Sequence, residues 1–307
     1  MSVMRPVHFE PPGFSGHALL DSGGGEKLER IGGVSLRRPD PQALWAPRLD
    51  PEAWEAADLC FERDPESGGK GGRWRPGPRA AGFLRGESPE WPCTFGEATF
   101  LIRPTSFKHV GLFPEQATNW QLLADLAPQL ERPRLLNLFG YSGAASVVAR
   151  LAGYEVTHVD ASKAAISWTR DNARASGLSD DGLRVICDDA LAFARREVRR
   201  GNRYSAILLD PPHYGRGPKN ETWRLEESLA PLLDTVRQLV DEVGLVVLST
   251  YAVGYSPLAF LNLFDQWADG SATAGELVLR EGEQPGAPAR LLPAGFCARW
   301  ARGVELS

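Results

Sequence analysis

The sequence of 307 residues is poor in cysteine and lacks long hydrophobic runs. Its four cysteines form no Cys-x-x-Cys pair and no spacing typical of metal ligands, which argues against a zinc site or a disulfide-stapled domain. No stretch approaches the roughly 18 apolar residues of a membrane helix, and residues 1–16 lack the apolar core of a secretion signal. We therefore expect a cytoplasmic protein with reduced thiols.

Lysine is also scarce, because only five of the 34 basic residues are lysine. Glycine (32) and proline (24) are enriched together with arginine, a bias typical of a GC-rich genome, so arginine content alone does not indicate RNA binding. The net charge of -5 argues against a protein that coats nucleic acid through its overall charge, but not against a local basic groove. With 43% hydrophobic residues, the chain can build a core, which excludes a disordered protein.

The sequence pattern changes along the chain. Residues 1–104 are dense in glycine, proline, tryptophan and charge, with short strand-like runs at 33–36 and 99–102 and a loop-like composition over 64–82. They predict a small β-rich N-terminal domain that serves substrate or RNA recognition.

Strands and helices alternate in the remainder, which predicts an α/β domain over residues 105–307 with a doubly wound, mostly parallel, seven-stranded sheet. The predicted strands are 134–139, 155–159, 183–187, 204–209, 244–250, 276–280 and 296–302. The predicted helices are 116–130, 144–152, 163–176, 190–200, 222–240 and 257–268. In such sheets ligands bind beyond the carboxyl ends of the strands.

Polar or glycine-rich motifs follow the first four predicted strands. Asn-Leu-Phe-Gly-Tyr-Ser-Gly at 137–143 predicts a tight turn, and the helix after it presents free N–H groups to a ligand. Asp160 can accept two ribose hydroxyls, and Asp189 can accept a hydrogen bond from an adenine amino group. Each motif alone fits a structural turn equally well, but four in succession indicate a nucleoside cofactor. A dinucleotide is disfavoured, because the turn has Gly-x-x-Gly in place of Gly-x-Gly-x-x-Gly.

The stretch LLNLFGYSGAASVVARLAGYEVTHVDASKAAISWTRDNARASGL, preceded by HVGLFPEQATNW, resembles class I S-adenosylmethionine (SAM)-dependent methyltransferases. Within that class it resembles the bacterial 23S ribosomal RNA large-subunit methyltransferases that modify cytosine carbon 5 or guanine N7. The resemblance covers residues 111–306 and implies a Rossmann-like fold with SAM as cofactor. The chain has Pro-Glu-Gln-Ala at 114–117 where that family has Leu-Asp-Gln-Arg, and Lys108 or His109 could replace the missing arginine.

The resemblance also implies roles for individual residues. Residues 137–143 would hold the methionine part of SAM, Asp160 its ribose and Asp189 its adenine, and Asp210 would lie between cofactor and substrate. The cofactor set that it implies is Asn137, Phe139, Gly140, Tyr141, Ser142, Gly143, Asp160, Ala161, Ser162, Asn172, Asp189, Ala190 and Asp210.

Asp-Pro-Pro-His-Tyr at 210–214 resembles the motif of nucleobase methyltransferases. The candidate catalytic residues are Asp210, Pro211, Pro212 and Tyr214. Asp210 and a prolyl carbonyl can hold an exocyclic amine, the two prolines stiffen the loop, and Tyr214 can stack on a base. His213 fits a solvated loop residue better than a general base. The structural alternative is a rigid turn with Asp210 as a cap.

Methylation of cytosine carbon 5 requires an enzyme thiolate that adds to the ring, and members of the family with this activity carry a cysteine at the end of the fifth strand. Here that strand ends in Ser249-Thr250-Tyr251. Cys187 is predicted to be a buried core residue. The segments of Cys60, Cys93 and Cys297 are predicted to lie far from the motifs. The residues therefore favour methylation of a nitrogen, without a covalent intermediate.

Two groups of arginines are candidates for RNA contact. The first group surrounds Trp74 and consists of Arg73, Arg75, Arg79 and Arg85. The second group is more typical of a solvated helix face and consists of Arg195, Arg196, Arg199, Arg200 and Arg203. Arg216 and Lys219 follow the Asp-Pro-Pro-His-Tyr motif and are the best-placed phosphate contacts, whereas Trp91 and Trp223 are predicted core residues.

The sequence as a whole predicts a SAM-dependent methyltransferase that acts on a nucleobase nitrogen in RNA, and ribosomal RNA in particular. One alternative is a methyltransferase for a small molecule or a protein amine. Another is a cofactor- or RNA-binding module without turnover. No membrane or metal partner is expected, and the oligomeric state stays open.

Overall fold

The computed structural model describes residues 7–64, 71–252, 254–283 and 286–306. The chain divides into two compact units, which we call the α/β unit and the β unit. The α/β unit comprises Met1–Phe9, Gln116–Leu277 and Ala294–Ser307, and the β unit comprises Glu10–Glu115 and Val278–Pro293. The sequence pattern predicts a single domain boundary at residue 104. In the structure the β unit extends to Glu115, and the C-terminal segment Val278–Pro293 also belongs to it.

The strands in chain order are β1 (His8–Phe9), β2 (His17–Gly23), β3 (Glu26–Ile31), β4 (Val34–Pro39), β5 (Leu59–Arg63), β6 (Gly72–Pro76), β7 (Trp91–Phe95), β8 (Ala98–Ile102), β9 (Arg134–Leu138), β10 (Glu155–Asp160), β11 (Leu183–Cys187), β12 (Tyr204–Leu209), β13 (Tyr214–Arg216), β14 (Thr222–Arg224), β15 (Val240–Thr250), β16 (Ser271–Arg280) and β17 (Leu291–Arg302). The α-helices are α1 (Pro51–Glu55), α2 (Ala117–Leu126), α3 (Ala144–Leu151), α4 (Lys163–Ala175), α5 (Ala190–Arg199), α6 (Leu225–Arg237) and α7 (Pro257–Phe264).

One eight-stranded sheet has the strand order β1-β16-β17-β15-β12-β9-β10-β11. Strands β9, β10, β11, β12 and β15 run parallel, and β17 pairs antiparallel with β15. The prediction of a mostly parallel α/β sheet is confirmed. The predicted count of seven strands is wrong by one, because β1 pairs with β16 through two residues and so short a strand leaves no pattern in the sequence.

The helix predicted over 222–240 is wrong at both ends. Thr222–Arg224 forms β14, which pairs with β13 as a hairpin, and Val240 already belongs to β15. The reason is tertiary, since Trp223 is buried in the core and the Leu225 N–H donates to the His213 carbonyl at 3.0 Å. The helices predicted over 116–130 and 257–268 also end earlier, as α2 and α7 show.

One apolar cluster of the α/β unit takes its residues from the central strands and from α5, α6 and α7. It includes three tryptophans, Trp223, Trp267 and Trp300. The prediction that Trp223 is a core residue is therefore confirmed. None of the described helices is long and apolar enough to cross a membrane.

The β unit contains a five-stranded sheet in the order β2-β3-β4-β5-β6 and a β7-β8 hairpin. The loop predicted over 64–82 is wrong for Gly72–Pro76, which is β6 and pairs antiparallel with β5; its residues 65–70 lie outside the described residues. Within the C-terminal segment of this unit, Arg290 donates to Asp21 at 2.8 Å and to Glu281 at 2.7 Å. Such contacts join residues far apart in the chain, so sequence patterns could not reveal them.

Candidate functional site

The carboxyl ends of five parallel strands meet at one edge of the central sheet, which we call the site edge. A row of paired residues crosses the strands just before their ends: Ile186, Val159, Leu138, Leu209 and Leu248. The residues that follow them are Cys187, Asp160, Phe139, Asp210 and Ser249. The register of the sheet thus brings all the predicted strand-end motifs to the site edge.

Residues 139–143 form the turn between β9 and α3, which we call the cofactor turn. Phe139, Tyr141 and Gly143 all have positive φ, at 58°, 49° and 82°. This conformation is unfavourable for the two aromatic residues, and strain of this kind is concentrated at functional sites. A Cβ atom on Gly140 would collide with the ring of His158, so glycine is required there by packing from below.

A chain of buried polar side chains lies under the cofactor turn, and no sequence pattern predicted it. The Asn137 amide donates to Ser146 Oγ at 2.9 Å, and Ser146 Oγ lies 3.0 Å from His158 Nδ1. On the other side of the ring, His158 Nε2 lies 3.1 Å from Thr169 Oγ1, which donates to the Tyr141 carbonyl at 2.9 Å. Burial lowers the pKa of His158 to about 3, so the ring is neutral. Through these contacts the His158 ring connects β9, α3 and α4 to the cofactor turn.

Asn172 also lies beneath the cofactor turn. Its side chain is 1% exposed, and its amide donates to the Ser142 carbonyl at 2.8 Å. The sequence prediction placed Asn172 among residues that touch the cofactor. In the structure its amide contacts the backbone of the turn, and Asn172 thereby holds the turn in place from α4.

Asp160 ends β10 beside the turn. Its Oδ2 atom accepts a hydrogen bond from the Tyr141 N–H at 2.9 Å, and its Oδ1 atom accepts one from the Ser162 N–H at 2.8 Å. Burial raises the pKa of the Asp160 carboxyl, and these backbone donors oppose that shift. Each carboxylate oxygen has a second lone pair, so Asp160 retains acceptor capacity for hydroxyl groups. Ser162 caps α4, where its hydroxyl accepts from the Ala165 N–H at 3.3 Å.

The end of β11 carries two acids with different tasks. Asp189 caps α5, since its Oδ1 atom accepts from the Ala192 N–H at 2.8 Å, and Ala190 begins that helix in a buried position. Asp188 pairs with the Arg196 guanidinium. One oxygen of Asp189 thus has a structural role beside any ligand contact, and Arg196, one of the second arginine group, is engaged within the protein.

The Asp-Pro-Pro-His-Tyr segment runs from β12 into the β13-β14 hairpin, and we call residues 210–214 the acceptor loop. The Asp210 N–H donates to the Leu138 carbonyl at 3.4 Å, which holds the loop against β9. Pro211 is buried, whereas Pro212 is exposed and its carbonyl accepts from the Trp223 indole at 2.7 Å. The Tyr214 side chain is 50% exposed, as a stacking residue must be.

A surface depression of about 410 Å³ adjoins the acceptor loop. It is lined by His213, Tyr214, Arg224, Glu226 and Glu227. His213 is exposed and lies 3.4 Å from Glu226, in agreement with the predicted solvated histidine. Arg216 and Lys219 are exposed on the same hairpin.

Two expectations about cysteine are wrong. Cys297 on β17 pairs directly with Ser249 near the end of β15, so it lies close to the site edge rather than far from it. Its sulfur lies 3.7 Å from the Asn119 amide, and burial raises the pKa of the thiol. A fully buried, protonated thiol is a poor nucleophile. Cys187 is only half-buried, not a core residue, and its thiol donates to the Ala161 carbonyl at 3.5 Å.

The first arginine group lies in the β unit, together with Trp91, Lys108 and His109. Arg73 and Arg75 are exposed on β6, where both pair with Glu62, and Arg79 and Arg85 are also exposed. Trp91 is buried, as predicted, and donates to the Ile31 carbonyl at 2.8 Å. Burial lowers the pKa of Lys108 and lowers that of His109 to about 4. Among the described residues, no group of His, Cys, Asp and Glu side chains is arranged to hold a metal ion.

Comparison with known proteins identifies the family. Residues 117–250 match the family described as conserved hypothetical protein 95. The crystal structure of the SAM-dependent methyltransferase from Agrobacterium tumefaciens is 41% identical, with a TM-score of 0.88 over 96% of this chain and 93% of that one. SMU.776, which is described as a methyltransferase and is complexed with SAH, shares the fold at a TM-score of 0.65 and 16% identity, over 92% of this chain and 75% of that one.

A curated relative provides a second line of evidence. The ribosomal RNA large subunit methyltransferase K/L of Shewanella frigidimarina is 29% identical over 154 residues, which are 50% of this chain and 21% of that protein. The chain spans about a fifth of the length of the curated relatives it matches. The similarity to the Agrobacterium enzyme extends over nearly the whole of both chains, and the chain therefore belongs to the SAM-dependent methyltransferases.

Proposed function

We propose that the enzyme transfers the methyl group of SAM to a nitrogen of a nucleobase in RNA, and that the RNA is ribosomal. The observation that carries the proposal is the acceptor loop. It places an acid, two prolines and a half-exposed tyrosine directly beside the cofactor turn, at an edge where the nearby thiol of Cys297 is buried and protonated. The curated relatives, which are named as ribosomal RNA methyltransferases, support RNA as the substrate.

The site edge fits SAM by the chemistry of its donors and acceptors. SAM supplies an activated methyl group, so the protein has mainly to bind the cofactor and position the acceptor. In this proposal the cofactor turn holds the methionine part, together with Asn137 and the N-terminus of α3. The free lone pairs of Asp160 accept the ribose hydroxyls, and the second oxygen of Asp189 accepts the adenine amino group. Ala161, Ser162 and Ala190 line this path, and Asn172 holds the turn.

The acceptor loop positions the nucleophile. Asp210 and the Pro211 carbonyl accept the hydrogens of an amino group, which turns the nitrogen lone pair toward the methyl group. Tyr214 stacks on the base, a contact worth about 1–3 kcal/mol. Since the attacking atom is a nitrogen with its own lone pair, no enzyme nucleophile is needed and none adds to the ring. The proton released after transfer leaves through Asp210 or solvent.

A second candidate is methylation of an amine in a protein or a small molecule. The specific observation in its favour is the depression beside Tyr214, where Glu226 and Glu227 offer carboxylates to a cationic group. Both carboxylates have basic neighbours, Glu226 with His213 and Glu227 with Arg224, so the depression is not strongly acidic. RNA therefore remains the preferred substrate. Because ribosomal RNA is cytoplasmic, the proposed function also implies a cytoplasmic enzyme.

A deletion strain tests the proposal in the cell. Mass spectrometry of ribosomal RNA nucleosides should show one N-methylated nucleoside lost in the deletion strain and restored by the wild-type gene. The gene for Asp210→Ala should not restore it. Unchanged ribosomal RNA nucleosides, together with loss of methylation from a protein or metabolite, would replace RNA by an amine substrate.

A further inference from the structure

Trp223 contacts both halves of the site edge. Its ring lies edge-on to Phe139 of the cofactor turn, with centroids 4.8 Å apart and planes at 61°. Its indole N–H donates to the Pro212 carbonyl of the acceptor loop at 2.7 Å. Trp223 is 4% exposed, so the indole lies almost wholly within the core. One rigid side chain thus joins the segment assigned to the cofactor and the segment assigned to the acceptor.

The backbone places Trp223 in this position through the hairpin. Trp223 lies opposite Gly215 in the β13-β14 pairing, and the next residue but one, Leu225, donates its N–H to the His213 carbonyl. The chain therefore leaves the site edge after the acceptor loop and returns to brace that loop from below. This return is why residues 222–224 form a strand rather than the first turn of α6.

Core packing alone does not explain the indole hydrogen bond. Trp300 belongs to the same apolar cluster, and its buried indole N–H has no partner among the described residues. The cluster therefore accommodates a tryptophan whose N–H is unsatisfied within the ranges that the structure describes. In contrast, the Trp223 N–H is bound to a specific carbonyl of the acceptor loop, which is the signature of a residue that fixes a backbone segment.

We propose that Trp223 is a positioning residue for methyl transfer, and that it holds the acceptor loop in register with the cofactor turn. Placement is most of the catalysis in this reaction, and a misplacement of about 1 Å can cost about a hundredfold in rate. Trp223 itself touches neither substrate, so it acts through Pro212 and Phe139. The effect on RNA methylation rests on the proposed function, whereas the effect on the loop does not.

Trp223→Phe tests the role, because phenylalanine keeps an aromatic ring beside Phe139 and removes the N–H. Hydrogen exchange of the amides of residues 213–216 should become about fivefold faster, as expected for the loss of one neutral hydrogen bond. The affinity for SAM, measured by calorimetry, should stay within about twofold. With tritiated SAM and ribosomal RNA from the deletion strain, kcat should fall about tenfold or more at an unchanged KM for SAM.

Trp300→Phe is the matched control, since it makes the same change in the same cluster but removes an N–H that has no partner in the described part of the chain. It should leave loop exchange and kcat as they are in the wild type. If Trp223→Phe fails to fold, Phe139→Leu tests the same ring contact from the side of the cofactor turn. This variant should have a lower kcat, and its thermal midpoint should be close to that of Trp300→Phe. Equal loop exchange and equal kcat in the Trp223 and Trp300 variants would overturn the proposal. Wild-type protein that does not methylate RNA would overturn the proposed substrate and leave the exchange result standing.

Discussion

The backbone N–H of Tyr141 donates a hydrogen bond to the Asp160 carboxylate at 2.9 Å. Tyr141 has a φ of 49°, so this bond holds a strained residue of the cofactor turn against the end of β10. The acid that we assign to the ribose is therefore also the brace of the turn that we assign to the methionine part of SAM. Cofactor affinity and local order should change together when Asp160 is replaced.

Asp160→Ala should weaken SAM binding by about 1.5–3 kcal/mol, the range for loss of a charged hydrogen-bond partner. Titration calorimetry measures this directly. The control is Asp188→Ala at the end of the neighbouring strand, where the carboxylate pairs with Arg196 and should matter less. A folded Asp160→Ala protein with wild-type affinity would show that the ribose binds elsewhere.

Tyr214→Ala should leave SAM affinity unchanged and sharply reduce methyl transfer to RNA, because the half-exposed ring no longer stacks on the base. Tyr214→Phe keeps the ring and should retain most of the activity. The comparison of kcat/KM for RNA among the three proteins separates the ring from the hydroxyl. If the alanine variant methylates RNA normally, Tyr214 has no stacking role.

Cys297→Ala should preserve methyl transfer, although the thiol lies beside Ser249. Burial raises the pKa of that thiol, which keeps it protonated and unreactive at neutral pH. RNA that contains 5-fluorocytosine should accordingly fail to trap the wild-type protein. A covalent adduct that survives denaturation and vanishes in Cys297→Ala would establish cytosine carbon 5 as the target.

The α/β unit should lose stability as the pH falls from about 6.5 toward 3. Burial lowers the pKa of His158 from 6.5 to about 3, so over this range the unfolded chain binds a proton that the folded protein excludes. The contribution is fully present above pH 6.5, and it declines by up to about 1.4 kcal/mol per pH unit, or about 2 kcal/mol by pH 5. His109 in the β unit contributes with the same sign.

Denaturant unfolding at pH 7 and pH 5 checks this slope. His158→Gln should be less stable than the wild type at pH 7 and should lose less stability between the two pH values. Replacement of the exposed His213 by Gln controls for the removal of a histidine. Parallel pH dependence in the wild type and His158→Gln would mean that the buried ring is not the source of the acid sensitivity.

Local patterns were enough to predict much of the fold. The apolar runs at 183–187 and 204–209 have the same ends as strands β11 and β12, because buried parallel strands are continuous in the sequence. The polar residues at the ends of β10, β11 and β12 could be predicted to converge, since the carboxyl ends of parallel strands lie at one edge of the sheet. Asp160, Asp189 and Asp210 were identified in this way.

The remainder depends on neighbours that only the folded chain brings together. His158 is one residue in a buried strand, and its link to Ser146 and Thr169 requires two helices packed on that strand. Cys297 reaches Ser249 through an antiparallel pairing between β15 and β17, which no spacing in the sequence encodes. Trp223 was predicted as core, but the hairpin that directs its N–H to Pro212 was not predicted at all.

SAM that carries a deuterated methyl group identifies the atom that the enzyme methylates. Purified enzyme is incubated with this cofactor and with ribosomal RNA from the deletion strain, and the RNA is digested for nucleoside mass spectrometry. We expect the label in one nucleoside, on a base nitrogen, and Asp210→Ala should abolish it. Label on carbon 5 of cytosine, or label in protein or small-molecule fractions and none in RNA, would contradict the proposed function.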